Sequence, residues 1–96
     1  MNRAKVLDLL ARHKPTLVAR YGVEDLALFG STVRDTARAD SDIDILVCFD
    51  GPATSERYFG VQFFLEDLLG RPVDLVTDKA LRPELRPFIE REAVHV

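Results

Sequence analysis

"LFGSTVRDTARADSDIDILVCF", residues 28–49, contains the pattern that decides the fold. Near its end, acids and aliphatic residues alternate, and successive side chains of a β-strand point to opposite faces. The outward positions would be Asp42 and Asp44, and the inward ones Ile43, Ile45 and Val47. The two acids would lie about 6.6 Å apart along the backbone. Because an unpaired buried carboxylate costs several kcal/mol, a cation, a counter-charge or hydrogen bonds should neutralise them.

Composition indicates a single folded domain over residues 1–96. The chain is 47% hydrophobic and 30% charged, which is typical of a globular protein. A net charge of -3 and a pI near 5.3 argue against strong nucleic-acid binding, which depends on Lys and Arg. The single Cys48 excludes an internal disulfide, and the chain has no apolar run of membrane-spanning length. We therefore expect a cytoplasmic protein without a membrane segment.

Periodicity predicts the element order α-α-β-α-β-α-β-α, an α+β (mixed α/β) class in which helices cover a small mixed sheet. The predicted helices cover residues 2–13, 15–20, 32–36, 56–69 and 81–93, and the predicted strands cover residues 26–29, 42–49 and 72–77. Pro15 should separate the first two helices, because proline disfavours helical geometry at the residue before it. The last helix should face inward with Leu85, Phe88 and Ile89.

A third acid follows the same alternation. In "PVDLV", Asp74 lies between Val73 and Leu75, so a neighbouring strand would present it beside Asp42 and Asp44. Three carboxylates repel one another without cations, and hard oxygen ligands suit Mg²⁺ or Mn²⁺. Two such ions about 3.5 to 4 Å apart are a known arrangement for displacement at phosphorus.

A phosphate site is predicted upstream of these acids. Gly30 and Ser31 stand where a strand gives way to a helical turn, and free N–H groups there favour an anion. Gly30 permits close approach of the backbone, Ser31 adds a hydroxyl, and Arg34 offers a planar fork to a triphosphate. Ten residues separate Ser31 from Asp42, so phosphate and metal sites would adjoin.

This spaced signature, Gly30-Ser31 followed by Asp42-x-Asp44, resembles that of the DNA polymerase beta-like nucleotidyltransferase superfamily. The small size is similar to its minimal nucleotidyltransferase (MNT) members. The resemblance extends over nearly the whole chain, through "ALFGSTVR", "DSDIDILV", "RPVDLVT" and "LRPELRPFIEREAVHV".

The resemblance implies a role for each candidate residue. Asp42 and Asp44 would bind the metals, and Asp74 would complete one metal site and help to deprotonate the attacking hydroxyl. Gly30 and Ser31 would hold the phosphates of the nucleotide. Arg34 matches a commonly basic position, although Asp35 follows it where many relatives have glycine.

The resemblance also implies an activity and a partner. The activity would be Mg²⁺-dependent transfer of AMP from ATP to a hydroxyl. Stand-alone MNT proteins are commonly antitoxins of HEPN-domain ribonuclease toxins, which they silence by adenylylating a tyrosine. We expect this role here, and a homodimer is compatible with it. The alternative is an inactive antitoxin that neutralises its partner by complex formation alone.

Ordinary structural roles stay open for the same residues. Asp42 could cap a turn and Asp44 could be a solvated acid at a strand edge. Ser31 could be a helix N-cap. Arg34 could be a solvated surface residue, or it could pair with Asp35 or Asp40.

Overall fold

The structure, a computed structural model, describes residues 2–34 and 41–96. Its elements in chain order are α1 (Arg3–Tyr21), β1 (Val23–Phe29), a 3₁₀ turn (Gly30–Thr32), β2 (Ile43–Phe49), α2 (Ser55–Leu69), β3 (Val73–Thr77), a second 3₁₀ turn (Asp78–Ala80), α3 (Arg86–Glu92) and β4 (Val94–His95). The expected α+β class is confirmed. Asp35, Asp40 and the predicted helical end at Thr36 lie outside the described residues.

The four strands form one mixed sheet with the order β3-β2-β1-β4. β2 runs antiparallel to β1 and parallel to β3, and β4 pairs antiparallel with β1. Helices α1 and α2 pack on one face of this sheet, where the inward positions of β2 are buried as predicted. The buried residues of this core are Val6, Leu10, Leu17, Val23, Leu26, Leu28, Ile43, Ile45, Val47, Phe49, Val61, Leu65, Leu69, Val73 and Leu75.

The predicted break at Pro15 is wrong, because α1 runs through it as one helix. An interior proline costs about 3 kcal/mol through its missing N–H and a clash with the preceding turn. The burial of Leu17 after the proline offsets this cost, since its side chain is fully enclosed. Lys14 adds a further tie by donating from Nζ to the carbonyl of Val96 at 2.7 Å.

The strand β4 was missed, and β1 begins three residues earlier than predicted, at Val23. β4 has two residues, too few for alternation to be visible in the sequence. It exists because β1 offers a free edge: His95 pairs with Ala27, and Val96 N–H donates to Leu26 at 3.0 Å.

The inward face predicted for the last helix is wrong for Leu85 and Phe88. Both are exposed, by 49% and 68% respectively. The helix itself starts only at Arg86. The side that meets the sheet carries Ile89 and, directly after the helix, Ala93. That side packs against a small second cluster formed by Ala27, Phe29, Leu46 and Leu81.

Among the described residues, no helix combines the length and apolarity needed to cross a bilayer.

Candidate functional site

Two of the three predicted acids lie side by side on the sheet face opposite α1 and α2. β2 and β3 are parallel, and their register pairs Asp44 directly with Asp74. Residues paired in this way present their side chains on the same face. Asp44 is half-buried and Asp74 is exposed. The parallel register therefore makes a carboxylate pair that is open to solvent on one side.

The environment raises the pKa of Asp44 from 3.8 to about 6. Burial is the largest cause, because it disfavours the charged form. The negative charge of Asp74, a hydrogen bond with its side chain and the charge of Asp42 act in the same direction, while the charge of Arg34 opposes them. Without a cation, the Asp44 carboxyl therefore keeps its proton up to a higher pH than an ordinary aspartate does.

Asp42 lies just before β2 and is exposed. Its charge reaches Asp44, yet it is not drawn into a close cluster. Within residues 2–34 and 41–96, no three Asp, Glu, His or Cys side chains form a ready-made set of metal ligands. The structure therefore brings Asp44 and Asp74 together and leaves Asp42 beside them.

Gly30 lies directly against Asp44, one member of the acid pair. It adopts a left-handed conformation with φ of 78°, which favours glycine. A Cβ atom built on it would stand 2.1 Å from Oδ2 of Asp44. The absence of a side chain at Gly30 is thus what makes room for the Asp44 carboxylate.

The turn after Gly30 carries Ser31, which is half-buried. Phe29, the last residue of β1, pairs with Asp44, so the turn begins at the level of the acids. The N–H groups of Val33 and Arg34 both donate to the carbonyl of Gly30, at 3.1 and 3.3 Å. Gly30 and Ser31 therefore form a tight turn at the side of the carboxylates.

Arg34 forms an ion pair with Glu92, through Nη1 and Oε1. Its guanidinium is exposed by 56%, whereas the Glu92 side chain is exposed by only 22%. Glu92 was not singled out from the sequence, since 58 positions separate the two residues and no local pattern connects them.

A further residue that sequence reasoning missed is Arg71, which supports the start of both acid-bearing strands. Its Nη2 donates to the carbonyl of Ser41 at 2.6 Å. The N–H of Ile43 donates to the carbonyl of Pro72 at 3.0 Å. These bonds tie the residues on either side of Asp42 to the segment before Asp74.

Helix α2 holds the backbone on both sides of Asp74 through polar side chains at four-residue spacing. Gln62 donates to the carbonyl of Val73 at 3.3 Å, and Glu66 accepts from the N–H of the same residue at 3.0 Å. Tyr58 donates to the carbonyl of Leu75 at 2.5 Å. These bonds occupy the outer edge of β3, which would otherwise be open to pairing with another chain, and they fix the strand that carries Asp74.

The carboxylate oxygens of Asp44 and Asp74 are chemically suited to bind a divalent cation. Oxygen donors from adjacent carboxylates are the ligands of Mg²⁺ and Mn²⁺, and a cation would relieve the repulsion that raises the pKa of Asp44. Asp44 and Asp74 would hold such an ion, with Asp42 the nearest further acid of the predicted set.

Replacing Asp44 with Asn should stabilise the metal-free protein at neutral pH. The folded-state pKa is raised above the unfolded value, so the folded chain binds the proton more tightly, and the contribution of Asp44 to stability falls as pH rises from about 4 to about 6. Because the group is only half-buried, solvent screening reduces the penalty to about 1 kcal/mol above that window.

Urea unfolding of both proteins in EDTA at pH 4 and pH 8 measures this effect. Asp44→Asn should be the more stable by about 1 kcal/mol at pH 8 and close to wild type at pH 4. A variant that is less stable than wild type at pH 8 would show that the carboxylate contributes favourable contacts instead.

Comparison with known proteins agrees with this architecture. The family model for the nucleotidyltransferase domain matches residues 10–96. The protein adenylyltransferase MntA of Thermococcus cleftensis is 38% identical over 92 residues, covering 96% of this chain and 93% of the relative. A solved structure of a protein assigned as a minimal nucleotidyltransferase is also 38% identical, with a TM-score of 0.78 over 98% of this chain and 95% of that one.

A more distant likeness concerns the fold alone. A chain in the complex of tri-AMPylated Shewanella oneidensis HEPN toxin with MNT antitoxin is 22% identical, with a TM-score of 0.60 over 98% of this chain and 67% of that one. With the family model matching most of the sequence and two relatives matching nearly all of it, the chain belongs to the nucleotidyltransferase domain family, as one of its minimal members.

Proposed function

We propose that this protein transfers AMP from ATP to a hydroxyl group of a partner protein. The observation that carries the proposal is the contact between Gly30 and Asp44, with Asp74 alongside. This contact places a turn suited to phosphate directly beside a carboxylate pair suited to divalent cations. The name of the Thermococcus cleftensis relative, a protein adenylyltransferase, supports the same chemistry.

The chain's own residues would position the reactants. Gly30 and Ser31 would receive the phosphates at the turn, where backbone N–H groups can donate to anionic oxygens. Arg34 would add a guanidinium to the triphosphate. Such positioning can supply a large part of the barrier reduction in phosphoryl chemistry.

The proposed transfer is a single displacement at the α-phosphorus and needs no covalent enzyme intermediate. The acceptor oxygen bonds to the α-phosphorus, the bond from that phosphorus to the bridging oxygen breaks, and pyrophosphate leaves with the electron pair. Asp74, the more exposed acid of the pair, would accept the hydroxyl proton. Magnesium would be held by Asp44 and Asp74, with Asp42 as a further ligand once the ion draws it in, and it would neutralise the phosphate charges.

The proposed partner is a HEPN-domain toxin, with a tyrosine as acceptor and this protein as its antitoxin. The support is the relative at 38% identity together with the shared fold of the Shewanella oneidensis complex.

Intact mass spectrometry tests the proposal directly. The HEPN-domain protein proposed as partner should gain one or more AMP units when incubated with this protein, ATP and Mg²⁺. The matched control is the Asp42→Ala, Asp44→Ala variant, which should form the complex and give no gain. If wild type forms a stable complex without adding AMP, neutralisation occurs by contact alone; if it forms no complex, the proposed partner is wrong.

A further inference from the structure

The ion pair between Arg34 and Glu92 joins the turn after β1 to the end of α3. Arg34 follows the turn at Gly30, and Glu92 is the last residue of α3. Ile89 packs α3 against the sheet on one side, and Arg86 donates to the carboxylate and the carbonyl of Asp78 at 2.8 and 2.9 Å. None of the residues of α3 is fully buried. The ion pair therefore ties a lightly packed helix to the edge of the candidate nucleotide site.

The two possible partners of Arg34 require the same donors. A guanidinium binds carboxylate and phosphate oxygens through the same planar set of N–H groups. The Glu92 carboxylate already contacts Nη1 of Arg34. A triphosphate seated at the Gly30 turn would need that nitrogen, so it would compete with Glu92.

Glu92 is well placed for such competition. Its side chain is largely covered, which limits how far the carboxylate can turn towards solvent instead of pairing with Arg34. Glu90 lies two residues before Glu92, on a different side of the same helix, and contacts Arg86 at 3.4 Å. The chain thus offers two glutamates on one helix, of which one contacts Arg34 and the other contacts a different arginine.

We propose that Glu92 is a positioning residue that holds Arg34 in the nucleotide-free protein and lowers the affinity for nucleotide, because the triphosphate must displace it. The inference rests on the proposed nucleotide binding and goes beyond it in assigning control of affinity to the end of α3. Displacement also releases α3 from the turn, so nucleotide binding loosens this helix.

Calorimetric titration of the full chain with α,β-methylene-ATP and Mg²⁺ at 0.15 M salt tests the affinity. The methylene bridge prevents AMP transfer, so binding alone is measured. Glu92→Gln should lower Kd about three- to tenfold, as expected from an ion pair that competes with the ligand. The matched control Glu90→Gln removes the same charge from the same helix and should change Kd less than about twofold.

A double-mutant cycle separates action through Arg34 from a general charge effect. Arg34→Gln should weaken binding about tenfold, and adding Glu92→Gln to it should then change Kd less than about twofold. Equal gains from Glu92→Gln in both backgrounds would overturn the inference, as would an Arg34→Gln variant that binds like wild type.

Amide hydrogen exchange provides a second readout. Nucleotide should speed exchange in α3 of wild type, and Glu92→Gln should already exchange faster without nucleotide. Slower exchange in α3 on binding would contradict displacement. If wild type and all variants fail to bind, the proposed function fails and this inference with it; if wild type binds and Glu92→Gln changes neither readout, only the inference fails.

Discussion

Asp44→Asn should lower the rate of AMP transfer by about a thousandfold. The substitution keeps the size of the side chain and removes the charge at the centre of the site, where Asp44 contacts Gly30 and pairs with Asp74. A neutral amide cannot help to hold a divalent cation next to a triphosphate. The measurement is single-turnover transfer of AMP to the partner at saturating ATP and Mg²⁺.

The same variant should unfold at higher urea concentration in EDTA at pH 8. Loss of activity combined with gain of stability is typical of a charge maintained for function against its folding cost. Asp8→Asn is the matched control, because Asp8 forms an exposed ion pair with Arg12 at 3.1 Å on α1, outside the site. It should retain wild-type transfer. Transfer by Asp44→Asn within about tenfold of wild type would exclude an essential metal-binding role for Asp44.

Gly30→Ala should cost about 3 kcal/mol of stability and reduce transfer at least a hundredfold. The new methyl group would be 2.1 Å from Oδ2 and 2.8 Å from Cγ of Asp44. Those atoms belong to a half-buried side chain in the site, so relief of the collision displaces either the carboxylate or the turn. Urea unfolding and single-turnover transfer measure the two effects.

Gly70→Ala supplies the control for backbone strain. Gly70 has a similar left-handed φ of 65°, but a Cβ there meets nothing within 4 Å. It should cost about 1 kcal/mol and leave transfer unchanged. If both glycine variants lose the same stability, the Gly30 effect is strain alone and the proposed collision with Asp44 is wrong.

A double variant tests whether Asp44 is the residue with which the new methyl group at position 30 collides. Asp44→Ala removes the carboxylate atoms nearest to the new methyl group, so combining it with Gly30→Ala should recover part of the lost stability. Transfer should stay abolished, since the carboxylate is gone. Strictly additive losses of stability would show that the two residues do not interact.

Several features could be predicted because they depend on local periodicity. The alternation around Asp44 placed acids and aliphatic residues on opposite faces of β2, and Ile43, Ile45 and Val47 are buried accordingly. The helix predicted over residues 56–69 is α2 (Ser55–Leu69), which ends at Gly70 in a left-handed conformation. These signals lie within a few residues, where side-chain direction follows directly from backbone geometry.

The errors have a different physical origin. Pro15 breaks the local helical pattern, yet the buried Leu17 beyond it keeps α1 continuous. β4 exists because β1 has an edge to pair with, and two residues carry no periodicity. In both places, contacts across the fold outweigh the local preference of the chain.

The sequence by itself determined the candidate residues and the class of fold, because spacing along a strand and at a turn is a local property. Only the tertiary structure decided which of these residues meet. The parallel register pairs Asp44 with Asp74, and the packing of β1 against β2 brings Gly30 onto Asp44. The contact of Arg34 with Glu92 joins positions far apart in the chain, and such contacts arise from the packing of whole elements, which no local pattern encodes.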